Sequence, residues 1–309
     1  MHVLVTGATG FIGSHLVARL REMGAQVFAA TSPSDHAARS GPGARLGAER
    51  APCRLAFDIR DAEAVRDAIE NVQPDVVFHL AAVGVTNPHV APDHALMVNA
   101  GGVINLLEAL KECGVARVVL AGTCYEYGEG GTDKTLDPTN AYAASKVAAW
   151  AFGHMYWRAH HLPVVTARPF QVFGPGQPDH TLIPAAIRAG LSGEDFAMTL
   201  GEQKRDFIFA EDVADGMIAA AETDGIEGAS LDLGTGVGTA VRQVVAQIWR
   251  LTGAEGDMRP GAHPYRRGHA VDLVADAQRT AELTGWRATT PLEEGLRATI
   301  TQLTSDMRH

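Results

Sequence analysis

The chain opens on His2-Val3-Leu4-Val5 and passes directly into Thr6-Gly7-Ala8-Thr9-Gly10-Phe11-Ile12-Gly13-Ser14-His15-Leu16. A short apolar run ahead of a glycine cluster reads as a buried strand, and the apolar-periodic segment through Leu20 reads as a helix. Strand, glycine-rich turn and helix in this order predict a dinucleotide site. Gly7 permits the tight turn, Gly10 lets the backbone approach a pyrophosphate, and Gly13 lets helix pack on strand. Phe11 and Ile12 stand at the entry to a helix near 13–23, whose N-terminus would present unpaired N–H groups and a positive dipole end to the phosphates. The spacing is Gly-x-x-Gly-x-x-Gly with no Gly-Lys-Ser/Thr after it, which excludes a P-loop.

Beyond this unit, strands and helices alternate as a doubly wound parallel sheet requires. The pattern predicts strands over 2–5, 26–30, 53–57, 75–80, 116–121 and 163–167, and helices near 13–23, 61–71, 93–113, 140–160 and 180–191. Residues 33–52, rich in Ala, Gly, Pro and Arg, read as loop. The helices near 93–113 and 140–160 carry apolar residues on more than one face, which fits core packing or a partner helix pair.

Bulk properties exclude some functions. A net charge of −10 argues against nucleic-acid binding, which needs a basic footprint. The three cysteines, Cys53, Cys113 and Cys124, form neither an even framework nor a metal-ligand spacing, so a reducing compartment and no metal are expected. No apolar run is long enough to span a bilayer, and the first strand begins at residue 2, so no membrane association and a cytoplasmic location are expected.

Asn140-Ala141-Tyr142-Ala143-Ala144-Ser145-Lys146 carries the chemistry. Tyr142 and Lys146, four residues apart, share one helix face. A free tyrosine, with a pKa near ~10, is a poor acid or base at neutral pH. An ammonium one turn away is expected to lower that value and bring proton transfer to a carbonyl or alcohol oxygen within reach. Thr123 closes the strand Arg117–Ala121, at the end that faces the ligand crevice of an open α/β sheet.

Together these segments resemble the extended short-chain dehydrogenase/reductase family, the group of nucleotide-sugar epimerases, dehydratases and 4-ketoreductases. The resemblance runs nearly end to end. It implies an α/β fold: a Rossmann-type sheet over 1–167 with a return segment at about 206–234. A smaller substrate lobe would then be built from 168–205 and 235–309. The family's adenine-side acid matches Asp58 beside Ile59, its fourth-strand signature matches His79-Leu80-Ala81-Ala82, and its cofactor-side amide matches Asn99. His79 is expected to line the cofactor cleft. The catalytic hydroxyl matches Thr123, with Tyr142 as proton donor or acceptor and Lys146 holding the cofactor ribose. Cys124, Gln171, Arg205 and Arg266 fall on substrate-side segments, the two arginines as clamps for a diphosphate, while Asp206 and Asp212 are expected to cap backbone. Relatives commonly dimerise through an intermolecular four-helix bundle, so a homodimer is implied.

Three departures narrow the reading. Cys124 and Tyr125 stand where sugar 4,6-dehydratases carry Asp and Glu, which argues against dehydration, and Glu126-Tyr127-Gly128 looks closer to 4-keto-6-deoxy-sugar reductases. Thr31, followed by Ser32, ends the second strand where NAD enzymes of the family usually place an acid. Hydroxyls of Thr31, Ser32 and Ser34, with Arg39, could hold a 2′-phosphate, which favours NADP over NAD, although Asp35 could fold back onto the ribose. Gln171 replaces the usual Asn and moves its amide by a methylene. The expectation is an NAD(P)-dependent enzyme on a nucleotide-diphosphate sugar, foremost a 4-ketoreductase, with a 4-epimerase retaining NAD as alternative. A non-catalytic NADP-binding sensor or scaffold comes last.

Overall fold

The computed structural model describes residues 1–33, 52–87, 89–130, 135–265 and 272–308. Its centre is a seven-stranded sheet of β1 (His2–Thr6), β2 (Gln26–Thr31), β3 (Cys53–Ala56), β4 (Val76–His79), β5 (Arg117–Ala121), β6 (Val164–Pro169) and β10 (Ser230–Leu233). The strands lie in the order β10-β6-β5-β4-β1-β2-β3, and every pair is parallel. Such a sheet must be covered on both faces, and the interior strands are accordingly apolar throughout. Val3, Leu4 and Val5 are fully buried.

Helices α1 (Phe11–Glu22), α2 (Ala62–Val72), α3 (Pro92–Ala95), α4 (Gly102–Leu110), α5 (Ala141–His160), α6 (Leu182–Ser192) and α7 (Ala210–Glu222) follow in chain order. Leu16, Val17 and Leu20 of α1 share one core with Val213, Ala214 and Met217 of α7 on one face of the sheet. Val65 and Ile69 of α2, Leu106 and Leu107 of α4, and Ala149 and Tyr156 of α5 fill the core on the other face. Strand order reverses between β1 and β4. Their carboxyl ends therefore part to leave the crevice where open α/β sheets bind ligands.

The segment near 93–113, expected as one helix, is interrupted. A π-helical turn, Leu96–Gly101, joins α3 to α4. The extra residue coincides with Asn99 and a Gly101-Gly102 pair, and a Cβ on Gly102 would lie 2.8 Å from the Ile59 side chain.

A second core lies beyond β6. It joins β7 (Gln171–Phe173), β8 (Phe196–Met198), β9 (Lys204–Phe209), β11 (Gly238–Ala240), β12 (Met258–Pro260) and β13 (Asp272–Leu273) with α6, α8 (Val241–Thr252) and α10 (Leu292–Asp306), whereas α9 (Ala277–Thr284) packs on β10 of the main sheet. Phe173, Ile187, Phe207, Val244, Ile248 and Leu296 fill that core, and β9 pairs with β7, β11 and β13. Ile208 and the stretch 213–233 instead pack with the main sheet, where β10 adds beside β6. Asp206 accepts from Thr235, Gly236 and Ala275, and Asp212 from Thr289 and Thr290, so each carboxylate pins a loop. Among the described residues no helix is long and apolar enough to cross a membrane.

Candidate active site

A cleft of about 1160 Å³ opens at the carboxyl edge of the sheet. The glycine turn forms one end of it. Gly7 adopts φ +67°, and a Cβ there would lie 2.7 Å from the Ala81 nitrogen, so the turn and the end of β4 meet backbone to backbone. A Cβ on Gly13 would lie 2.2 Å from the Gly7 oxygen, a contact that only glycine avoids. Gly10, which has no side chain to cap the helix, precedes α1, and no acidic residue stands in its first turn. The free N–H groups near Phe11 and Ile12 therefore open onto the cleft, as anion binding at a helix N-terminus requires.

The opposite wall of this end is built from Thr31, Ser32, Asp58 and Ile59. Thr31 is buried, and its hydroxyl has no partner among the described residues. Asp58 accepts from the Arg60 backbone (2.9 Å) and side chain (2.6 Å), and the guanidinium holds its carboxyl below the ordinary range. Asn105 fixes the Ile59 carbonyl at 3.0 Å. The glycine cradle, the uncapped helix start and the orphaned Thr31 hydroxyl together fit a dinucleotide with its adenosine end at Asp58. Ser34, Asp35 and Arg39 lie outside the described residues.

At the other end stand Thr123, Tyr142 and Lys146. The Asn140 side chain caps α5 by accepting from the Ala143 N–H at 2.9 Å, which fixes where the helix begins. Tyr142 and Lys146 then fall on its buried face. Thr123 and Tyr142 both line this end, and the Thr123 side chain favours the ionised phenol. Burial outweighs this and drives the phenol well above its ordinary value. The Lys146 ammonium donates to the Ala121 carbonyl at 2.8 Å, and burial pulls its pKa down to about 8. Here the sequence expectation fails. Sharing a helix face does not bring the ammonium to bear on the phenol, because the long side chain reaches the last carbonyl of β5. In this structure burial favours the protonated phenol.

Other expected site residues part from the cleft. Asn99 is fully buried and does not line it. Its amide accepts from the Val83 N–H (2.9 Å) and donates to the Val83 carbonyl (3.0 Å) and the Ser145 hydroxyl (2.8 Å). It ties the loop after β4 to α5. His79 also lies beneath the cleft surface. The Thr6 hydroxyl accepts the Ala81 N–H at 3.3 Å and is hydrogen-bonded to the His79 Nδ1 at 2.7 Å. Burial first, and the Lys146 charge second, lower its pKa to about 3. Cys124 packs with Tyr127, Phe170, Leu273 and Ala275, its thiol pushed up to about 12 by burial, and is a core filler. Arg205 is buried away from the cleft and donates to the Lys204 carbonyl at 2.8 Å. Arg266 lies outside the described residues. Gln171 and Leu80, Ala81 and Ala82 do line the cleft, and Gln171 accepts from the Tyr125 hydroxyl at 3.3 Å.

Residues overlooked in the sequence complete the wall. His180 and Thr181 line it where α6 begins, and Thr181 leaves that helix without a side-chain cap. Polar residues just ahead of a predicted helix start were the available signal.

The sequence model of the NAD dependent epimerase/dehydratase family matches residues 3–234. The chain belongs to this family. Across 97% of both chains this family member is 32% identical to a UDP-glucose 4-epimerase of Mycolicibacterium smegmatis. Its fold superposes on the UDP-glucose 4-epimerase of Thermotoga maritima solved with UDP-glucose, with a TM-score of 0.88 and 27% identity over 99% of this chain and 100% of that one. MoeE5, solved with UDP-glucuronic acid and NAD, gives a TM-score of 0.86 and 31% identity over 99% of this chain and all of that one.

Proposed function

We propose that this family member is an NAD(P)-dependent 4-ketoreductase of a nucleotide-diphosphate sugar. The observation that carries the reading is the meeting of Thr123, Tyr142 and Lys146 at one end of the cleft, with Tyr142 and Lys146 on the buried face of α5. A donor beside a second hydroxyl is what a carbonyl oxygen needs as it gains negative charge. Thr123 and Tyr142 bind the C4 oxygen, and the Tyr142 proton passes to it as the carbonyl is reduced. The dinucleotide lies along Gly7, Gly10 and Gly13, with its nicotinamide at the Lys146 end, and supplies the hydride when bound. Lys146 holds the ribose through its buried ammonium. Tyr125 and Gln171 face the sugar, and the start of α6 receives the diphosphate.

Thr31 supports NADP. A carboxylate at this strand end would repel a 2′-phosphate, and Thr31 brings none. Kinship with UDP-glucose 4-epimerases supports a second reading, a 4-epimerase with retained NAD, which would use the same Thr123, Tyr142 and Lys146. The chain is also read as a homodimer. Met97 of the π turn and Phe152 and Met155 of α5 are exposed on adjacent packed helices, an apolar face suited to a second copy. Sedimentation of Met97→Glu/Phe152→Glu as a monomer, against a dimeric parent, checks it.

The test is turnover with NADPH deuterated at the transferring position and a panel of nucleoside-diphosphate 4-keto-6-deoxyhexoses. The expected result is deuterium at C4 of the product and one NADPH consumed per sugar. Interconversion of C4 epimers with no net use of nicotinamide would establish the epimerase instead.

A further inference from the structure

Next to the proposed site lies a buried ion pair that the proton transfer above does not use. Glu126, fully inaccessible, sits in the helical turn after Thr123. Its Oε1 accepts the Thr123 backbone N–H at 2.8 Å, and its Oε2 accepts from Arg168 Nε of β6 at 2.7 Å. Arg168 is itself buried, stacked over the Tyr127 and Trp150 rings and bonded to the Tyr127 hydroxyl at 3.2 Å. The preceding residue makes room for this carboxylate. A Cβ on Gly122 would lie 2.6 Å from Oε1. A charge pair this deep is a weak source of stability, since desolvation offsets most of the attraction, so its placement calls for another role.

The pair is oriented. Its carboxylate end holds the backbone N–H of Thr123, which lines the cleft with Tyr142, while its guanidinium end lies toward Tyr127 and Trp150. We infer that Glu126 is a positioning residue. It clamps Thr123 through the backbone N–H and sets the negative end of a buried ion pair beside the Thr123–Tyr142 hydroxyls, so that Tyr142 stays a proton donor. The other groups facing Tyr142 are Cys124 and Tyr125 from the same turn and Lys146 from its own helix, with His79 behind Lys146. Cys124 and His79 are held neutral by burial. The Glu126 charge acts on both partners in one direction, favouring the protonated phenol and the protonated ammonium. A site kept in donor form suits carbonyl reduction and opposes alcohol oxidation, so the inference rests on the reductase reading for its purpose, though not for its geometry.

The test uses full-length protein labelled with ¹³Cζ-tyrosine, the Tyr142 signal being assigned by its loss in Tyr142→Phe. Glu126→Gln keeps an acceptor for the Thr123 N–H and removes the charge. Glu126→Gln/Arg168→Gln removes both charges and guards against misfolding around an unpaired arginine. The Tyr142 titration midpoint is expected to fall by about one pH unit or more in Glu126→Gln, where Arg168 is left unopposed. In the double variant it should fall less, with the same sign. A Tyr142 midpoint unchanged in the folded variants, or no titration in them below the pH at which the parent begins to titrate, overturns the inference. The titration needs no sugar, so its failure is separable from failure of the reductase reading, which the deuterium experiment decides alone.

Discussion

Replacing Asn99 by Ala separates a structural tie from a cofactor ligand. The amide makes three hydrogen bonds in a fully buried setting, two to Val83 and one to Ser145. At about 1 kcal/mol net for each bond, with about 1 kcal/mol more for the cavity, the loss comes to roughly 4 kcal/mol. Unfolding entropy of about 2.1 cal/mol/K per residue over 309 residues converts that to a fall in Tm of about 6 °C. Val83 lines the cleft and Ser145 precedes Lys146, so loosening this tie also displaces the proposed catalytic groups. Displacement of about an ångström costs on the order of 100-fold in rate. Denaturant unfolding, thermal scanning and NADP titration of Asn99→Ala check the reasoning. A stability loss below about 1 kcal/mol with a large fall in dinucleotide affinity would refute it and make Asn99 the ligand that its motif suggested.

Tyr142→Phe is expected to lower the reductive rate by about 100- to 10,000-fold, the range of general acid catalysis, with NADP affinity nearly unchanged by equilibrium titration. Thr31→Asp, placing a carboxylate on the cleft wall, should move cofactor preference from NADP toward NAD by at least about tenfold in kcat/KM. His79 has a folded pKa of about 3 against an ordinary 6.5. The folded state thus resists protonation, and the stability this residue contributes is full above about pH 6.5 and lost as the pH falls toward 3. Calorimetry across that window should show the loss in the parent and a flatter profile in His79→Asn, which keeps a polar partner for the Thr6 hydroxyl.

The fold was legible in the sequence where one physical constraint acted alone. Val3 to Val5 are apolar on both faces because β1 is covered on both sides, and Gly7 and Gly13 stand where a Cβ would strike backbone. Asn140 marks the start of α5 because an amide caps that helix. The site was less legible because side-chain direction depends on tertiary partners. Lys146 was assigned to the phenol by helix geometry, yet a β5 carbonyl claims it. Asn99 was read as a ligand because its motif lies near the cofactor, but the π turn aims its amide at Val83 and Ser145. Cys124 belongs to a small core whose other members come from distant parts of the chain. Nor could spacing reveal that Glu126 would meet Arg168, a residue 42 positions away.

The most direct test of the reductase reading is to denature the freshly purified protein and identify the released nucleotide by mass spectrometry. Little bound nucleotide, or NADP that exchanges freely with added NADP, is the expected result for an enzyme that consumes its reductant each cycle. Near-stoichiometric NAD or NADH, retained through purification, would contradict both the reductase reading and the role given to Thr31, and would point to an epimerase.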